Sequence, residues 1–259
     1  MKIARFQKGQ HIAHGLVQGN KVMEVRGNIF GRFRSTDLTH KLQDIRLLPP
    51  TDPSQVWCPG LNFPDHILSH TGGSPLDLPP HPTPWQKGRG SVIATGQPIV
   101  IPCESDGDVH YEGEAVAVIG RSCRRVSPEE ALDYVLGYTC ANDVSDRSWQ
   151  STDHFMWRAK GSDTFGPVGP WIETKIDPTN LAITVRLNGE VVQQANTRDM
   201  IHGFAAVISY ISQFVTLAPG DLVLSGAPGA TQAMRPGDVV EVDIQGIGIL
   251  RNSIEAEVP

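Results

Sequence analysis

HYEGEAVAVIG, residues 110–120, is the stretch on which the reading of the fold turns. Ala115 to Ile119 form an unbroken run of small and β-branched apolar residues, the pattern of a strand buried on both faces. Glu112 and Glu114 stand at its head. Residues two apart in a strand point to one side, so the two carboxylates are expected on a common face, with Gly113 on the other. Gly113 has no side chain and permits close approach of neighbouring chain. Two like charges this near raise each other's pKa unless positive charge lies between them. A solvated strand end satisfies that condition with water, and a bound cation satisfies it inside a protein.

The surrounding chain sets the frame. Its 259 residues suit one large domain, or one domain with a small appendage. Hydrophobic content of 39% with 19% charged residues is globular, and 26 Gly with 20 Pro imply many turns and a strand-rich fold. The net charge of −6 comes without a basic stripe, so nucleic acid and anionic membranes are not expected partners. MKIARFQKGQHIAHGL lacks the apolar core of a secretory signal, and no apolar run reaches membrane-span length. Cys58, Cys103, Cys123 and Cys140 are scattered, with no C-x-x-C pair. Reduced thiols and a cytoplasmic location are the expectation.

Residues 1–46 read as short strands, with a Gly-Asn turn at 19–20. LLPPTDPSQVW then reads as a linker, because proline suits neither sheet nor helix interiors. The expected division is a small N-terminal β-rich unit over 1–50 and a main domain over 51–259. Residues 59–90 are rich in Pro and Gly, as a long functional loop is, and FPDHILSH within them suits one or two helical turns. IVIP reads as a strand. SPEEALDYVLGY reads as a helix, with Ser127 as N-cap, Pro128 at N1, Glu130 completing a capping box, and Leu132, Val135 and Leu136 as the apolar face. A second helix is expected at about 198–215, where Met200, Ile201, Phe204, Val207, Ile208, Ile211 and Val215 follow the 3.6-residue period. Strands and turns close the chain, with Pro-Gly-Asp at 219–221 and again at 236–238.

Asp143 follows the capped segment, in GYTCANDVSDRSWQ. With Glu112 and Glu114 it would make a hard oxygen site that selects magnesium (Mg2+), manganese (Mn2+) or calcium (Ca2+) over zinc. Three protein ligands leave an octahedral ion open to substrate or water. Arg147, Gln150 and Lys160 follow closely, and Lys87 and Arg89 end the Pro-rich loop. The cations among them can hold a substrate carboxylate, although each Arg or Lys alone also reads as an ordinary surface charge.

Seven stretches resemble the fumarylacetoacetate hydrolase superfamily, in family order: GLNFPDH (60–66), PWQKGRGSV (84–92), YEGEAVAVIG (111–120), GYTCANDVSDRSWQ (137–150), KGSDTFGPVGPWI (160–172), LNGEVVQQANTRDMI (187–201) and LAPGDLVLSGAPGA (217–230). They span nearly all of residues 56–254, and residues 1–50 resemble the small N-terminal domain of bacterial members. The resemblance implies a mostly β (α+β) fold, a rolled mixed β-sheet with a few flanking helices, usually dimeric. It implies Glu112, Glu114 and Asp143 as ligands of Mg2+ or Mn2+, with Lys160, Arg147 and Gln150 near the substrate and His66 as catalytic histidine. Two positions depart from the family pattern. Ser69 replaces the acid that commonly follows that histidine by three residues, and Ala227 replaces a hydroxyl residue in the S/T-G-T-P turn.

The implied substrates are 2-oxo or 2,4-dioxo carboxylic acids. Lewis-acid polarisation of the 2-oxo group, helped by the charge of Lys160, would let electrons collect as an enolate. The first expectation is hydrolysis of a C–C bond in an acylpyruvate-type acid such as fumarylpyruvate, with His66 as base. The alternative is a decarboxylase or isomerase of a 2-hydroxyhepta-2,4-diene-1,7-dioate type of acid in aromatic catabolism. A non-catalytic oxo-acid-binding protein is the third reading. A homodimer is expected.

Overall fold

The computed structural model describes residues 1–71 and 78–258, with the side chains of 69–71 excepted. The chain opens with four strands, β1 (Lys2–Lys8), β2 (His11–Gln18), β3 (Lys21–Gly27) and β4 (Phe33–Lys41), and a short β5 (Arg46–Leu47). The turn between β2 and β3 is the expected one at residues 19–20. Next come β6 (Val56–Gly60), helix α1 (Pro64–Thr71), β7 (Thr83–Lys87), β8 (Val92–Ile93), β9 (Ile99–Ile101) and β10 (Val109–His110). The central part holds β11 (Gly113–Ile119), α2 (Pro128–Ala131), β12 (Val135–Asn142), β13 (Ser145–Asp146), α3 (Arg147–Thr152) and α4 (Trp157–Gly161). The last part holds β14 (Gly166–Glu173), β15 (Ala182–Leu187), β16 (Glu190–Asn196), α5 (Phe204–Phe214), β17 (Leu222–Leu224), β18 (Val239–Ile244) and β19 (Gly248–Ala256).

Strands dominate, and the sheets are mixed. Among the described residues, a 12-stranded sheet runs in the order β4-β3-β2-β1-β14-β12-β11-β17-β6-β7, with β5 on β1 and β8 on β14. A five-stranded sheet, β16-β15-β18-β19-β9, faces it. β17–β6, β14–β8 and β19–β9 are parallel pairs. This is the mostly β architecture expected from the Gly- and Pro-rich composition.

β11 lies at the centre, and all seven of its residues are buried. Ala115, Ala117 and Ile119 enter one apolar cluster, shared with Val185 and Val242 of the facing sheet and with Phe204, Val207, Ile208 and Ile211 of α5. Val116 and Val118 enter a second cluster with Ile3, Val25 and Ile172. The unbroken apolar run is therefore packed on both sides. Gly113 has a steric reason as well: a Cβ there would come 2.3 Å from Val185 Cγ2. The close approach comes from side chains of the second sheet, not from backbone.

Two local expectations are corrected. The Ser127 capping box is present, but the helix it starts lasts four residues, and one 3-10 turn (Leu132–Tyr134) leads straight into β12. Val135 and Leu136 are strand residues, because this β-branched and aromatic segment pairs with β11, with a register shift that passes over Leu136. The second long helix starts at Phe204, later than its apolar period suggests. Ile201 N and His202 N donate to the backbone and side-chain oxygens of Asn62 at 2.8 and 2.9 Å, so the 200–202 backbone is drawn out of the helix. The proline-rich linker is firmly held: Thr51 Oγ1 donates to Gly220 O at 2.8 Å, and Asp221 Oδ1 accepts from Ser54 N, Ser54 Oγ and Gln55 N. Hydrogen bonding also crosses the expected division near residue 50, where β1 pairs with β14 and joins the N-terminal strands to the main sheet.

The two Pro-Gly-Asp segments form the same turn. Asp221 Oδ2 accepts from Ala218 N, and Asp238 Oδ2 from Arg235 N, each at 2.7 Å. Among the described residues no helix is long and apolar enough to cross a membrane.

Candidate active site

The register of β11 against β12 brings the acidic residues together. Gly113 pairs with Asn142 and Glu114 with Ala141, so Glu112 and Asp143 meet just beyond the ladder. Asp143 N donates to Glu112 O at 2.8 Å, and Glu112 N donates to Asn142 Oδ1 at 2.8 Å. One carboxylate oxygen from each of Glu112, Glu114 and Asp143 lies within 4.8 Å of the other two, and all three residues are buried.

Cations close around them. Asp146 caps α3 by accepting from Trp149 N at 3.0 Å, which fixes the entry of the helix that begins with Arg147. Arg147 Nη2 donates to Glu112 Oε1 at 2.6 Å, and Nη1 to Gln150 Oε1 at 2.7 Å. Lys160 Nζ, from α4, donates to Glu112 Oε2 at 2.7 Å and Asp143 Oδ2 at 2.9 Å. Lys87 Nζ, at the end of β7, lies 2.8 Å from Asp143 Oδ1 and donates to the Lys160 carbonyl. The Trp85 ring faces both ammonium groups, 5.4 Å from Lys160 Nζ and 5.9 Å from Lys87 Nζ.

This setting divides the two glutamates. Burial works against an ionised Glu112, but Lys160, then Arg147 and His66, outweigh it and hold its carboxyl well below the usual range. Burial pushes Glu114 well above its ordinary value, and the Asp143 and Glu112 charges push it further. Burial also opposes the Lys160 ammonium, yet Asp143 and Glu112 keep it charged, above the ordinary lysine value.

One loop supplies the opposite wall. Gly226 N donates to Glu114 Oε2 at 2.6 Å. Gly226 has φ +83, and a Cβ there would come 2.9 Å from both Pro59 O and Asn62 Cβ. Gly229 O lies 2.7 Å from His66 Nδ1, and Thr231 Oγ1 is 2.9 Å from Arg147 Nη2. A carbonyl can only accept, so His66 Nδ1 carries the hydrogen and the neutral ring's lone pair is on Nε2.

Glu112, Glu114, Asp143, Lys160, Gln150 and His66 line one cavity of about 270 Å³. Leu61, Trp85, Met156 and Ala227 complete its wall. A larger groove of about 630 Å³, between residues 42–47 and Arg251, has no carboxylate in its lining. Size therefore does not mark the chemistry.

The residues picked from sequence do not all converge. Arg89 is exposed, and its guanidinium pairs with Asp52 Oδ1 at 3.1 Å. Lys87 is buried behind Asp143 and is not part of the cavity lining. Arg147 acts on Glu112 and Gln150 rather than on the cavity directly. The side chains of Ser69 and His70 lie outside the described residues. Asn142, Trp85, Met156 and Thr231 were missed, and nothing local in the sequence marks which way they face.

The donor set fits a hard divalent cation. Three buried carboxylate oxygens converge, and Asp143 Oδ1 accepts no hydrogen bond among the described residues despite the nearby Lys87 ammonium. The sequence pattern of the fumarylacetoacetate (FAA) hydrolase C-terminal family matches residues 55–255.

The chain belongs to the fumarylacetoacetate hydrolase family.

Residues 1–50 match a second pattern, described as Rv2993c-like, N-terminal. The chain is similar to a 2-hydroxyhepta-2,4-diene-1,7-dioate isomerase from Mycobacterium marinum, with TM-score 0.90 and 37% identity, covering 100% of both chains. It is 38% identical to the oxaloacetate tautomerase fahd2, mitochondrial, of Xenopus laevis, over 80% of this chain and 67% of that protein. It is also similar, with TM-score 0.81 and 25% identity over 100% of both chains, to a maleylpyruvate hydrolase from Sphingobium sp. SYK-6 in complex with manganese (II) ion and pyruvate. Enzymes of this family thus include isomerases, tautomerases and hydrolases, and a hydrolase member binds a divalent metal.

Proposed function

We propose that the chain is a divalent-metal-dependent enzyme that moves a proton on small 2-oxo dicarboxylic acids, by keto–enol tautomerisation or by shifting a double bond. The observation that carries this reading is the balance of charge around the cavity. Lys87, Arg147 and Lys160 pair with Glu112 and Asp143, and Glu114, once ionised beneath a bound cation, makes the carboxylates equal in number to the cations. A divalent cation would leave two positive charges, which a substrate dianion neutralises. Burial makes such neutrality worth several kcal/mol, on the order of the penalty for an unpaired buried ion.

Glu112, Glu114 and Asp143 would hold Mg2+ or Mn2+, which when bound polarises the substrate's 2-oxo group as a Lewis acid. His66 Nε2 would carry the proton: in tautomerisation between the carbon beside that group and its oxygen, and in the double-bond shift from the 2-hydroxyl to the far carbon of the diene. Its Nδ1–H, held by Gly229 O, fixes ring orientation and tautomer for that step. Lys160 Nζ would add positive charge where the substrate oxygen becomes negative. Gln150 turns its oxygen to Arg147, so it would present its amide N–H donors to a substrate oxygen. Trp85, Leu61 and Met156 form a wall that limits water.

Hydrolysis of an acylpyruvate-type C–C bond, the first expectation from sequence, stands as the second reading. The similarity to a maleylpyruvate hydrolase holding manganese and pyruvate favours it. It needs His66 to activate a water rather than to touch carbon.

The deciding experiment is incubation of the Mn2+-loaded protein in D2O with oxaloacetate, fumarylpyruvate and 2-hydroxyhepta-2,4-diene-1,7-dioate, with products quenched, freed of Mn2+ and followed by NMR. Accelerated enol–keto exchange or a shifted double bond, with deuterium on carbon, is expected. Pyruvate plus fumarate would replace the first reading by the second, and no turnover of any would refute both.

A further inference from the structure

We propose that Thr231 and His110 are positioning residues: they hold the Arg147 guanidinium and, through it, the Glu112 carboxylate and the Gln150 amide. The proposal deepens the reading above, and rests on it for the kind of ligand bound.

Residues 108–110 form a spine on which two other segments are hung. Asp108 O accepts from Arg147 N at 2.9 Å, and Val109 O accepts from Met234 N at 2.8 Å. His110 pairs with Ser145 on one side and bridges Ala233 on the other. The start of α3 and the loop carrying Thr231 are thereby brought to the same place.

Side chains repeat the connection. Arg147 Nη2 lies 2.9 Å from Thr231 Oγ1, Thr231 Oγ1 lies 2.9 Å from His110 Nδ1, and His110 Nε2 lies 2.9 Å from Asp108 Oδ1. The direction of each bond follows from the groups. A guanidinium only donates, so Thr231 Oγ1 accepts from Arg147. An ionised carboxylate only accepts, so the hydrogen of a neutral His110 is on Nε2. Nδ1 is left as an acceptor, and the Thr231 hydroxyl hydrogen goes to it. Every hydrogen in the relay has one place.

The far end of the relay is in the cavity. Arg147 Nη2 also donates to Glu112 Oε1, and Nη1 to Gln150 Oε1. Both acceptors line the cavity. With its oxygen held by Arg147, Gln150 can offer only N–H donors to a ligand, which suits an anionic oxygen. Without the Thr231 hydroxyl, Nη2 loses one of its acceptors, the fork can swing, and the Gln150 amide can turn its oxygen to the ligand. Thr231→Val removes the hydroxyl at nearly constant volume, and Thr231→Ser keeps it.

The test has two parts. Nitrogen-15 NMR of the histidine rings in the full-length protein at neutral to mildly basic pH should show His110 as the Nε2–H tautomer, in a state that Thr231→Val perturbs. An Nδ1–H tautomer would overturn the relay, whatever the enzyme does. Calorimetric titration with Mn2+, then with oxalate as a mimic of an enolised 2-oxo acid, reads the consequence without turnover. Lys160 still holds Glu112 in Thr231→Val, so Mn2+ affinity should change by less than about threefold, while oxalate affinity falls about tenfold. Thr231→Ser should recover oxalate binding to within about threefold. Oxalate binding unchanged in Thr231→Val, or as weak in Thr231→Ser as in Thr231→Val, would overturn the proposal. A wild-type protein that binds Mn2+ but not oxalate would refute the functional reading instead, and the tautomer would still decide the relay.

Discussion

Replacing Asp143 by Asn tests the electrostatic construction of the site before any ligand is added. Its carboxylate lies 2.8 Å from Lys87 Nζ and 2.9 Å from Lys160 Nζ, and the three side chains are at most 6% exposed. Removing one partner of a buried ion pair costs about 3–5 kcal/mol, because the other charge stays buried. Two such pairs would not add in full. Lys160 keeps Glu112 at 2.7 Å, and Lys87 keeps the carbonyls of Lys160 and Val144. The expected loss for Asp143→Asn is therefore about 3 kcal/mol, or a fall in Tm of about 6–10 °C. Glu114→Gln is the matched control. Glu114 makes no salt bridge among the described residues, accepts from Gly226 N, and faces two like charges. An isosteric neutral amide should leave the metal-free protein within about 1 kcal/mol of wild type, or make it more stable. Each variant lacks one of the three proposed metal donors, so both should lose Mn2+ binding. Urea unfolding followed by circular dichroism in EDTA, at one protein concentration, reads stability, and calorimetry with Mn2+ reads binding. Asp143→Asn as stable as wild type, or less harmful than Glu114→Gln, would refute the account of the site as a balanced set of buried charges.

Four more outcomes follow from particular contacts. His66→Gln should lower kcat by about 10²–10⁴-fold while leaving Mn2+ and oxalate affinities near wild type; a parallel loss of oxalate binding would make His66 a ligand-binding group instead. Arg89→Ala should leave KM within about twofold, because that guanidinium is on the surface with Asp52; a tenfold rise in KM would put it at the substrate. Gly113→Ala should destabilise by about 1–3 kcal/mol in urea, since its Cβ would collide with Val185 Cγ2, and an unchanged midpoint would mean that the facing sheet yields freely. Burial and the Arg5 charge hold the His14 pKa below its usual 6.5, so the unfolded ring takes a proton first as pH falls. Stability from this group is full above pH 6.5 and declines below it. His14→Gln should flatten the stability curve just below pH 6.5, and a slope as steep as wild type's would assign it to other groups.

Much of the fold is written locally. The apolar run after Glu114, the Gly-Asn turn, the Ser127 capping box and the paired Pro-Gly-Asp turns are patterns of neighbouring residues, and neighbours alone decide them. The family motifs likewise placed Glu112, Glu114 and Asp143 in one expected site. Competition between elements was not legible. Val135 and Leu136 satisfy a helical period, yet the chance to pair with β11 draws them into a strand. Met200 and Ile201 fit the period of α5, yet Asn62, distant in sequence, takes the hydrogen bonds of Ile201 N and His202 N.

The tertiary structure alone decided which charges face which. Lys87 and Arg89 are two residues apart, but Lys87 ends a strand and points into the core, whereas Arg89 begins a 3-10 turn and points to solvent. The loop from Ser225 to Thr231 reads as small residues and turns, yet it holds Glu114, His66 and Arg147 at once. Electrostatic energy depends on distance and burial, and neither is fixed until strands from opposite ends of the chain have set their register. Sequence therefore named most of the chemical groups of the site, and packing assigned their partners.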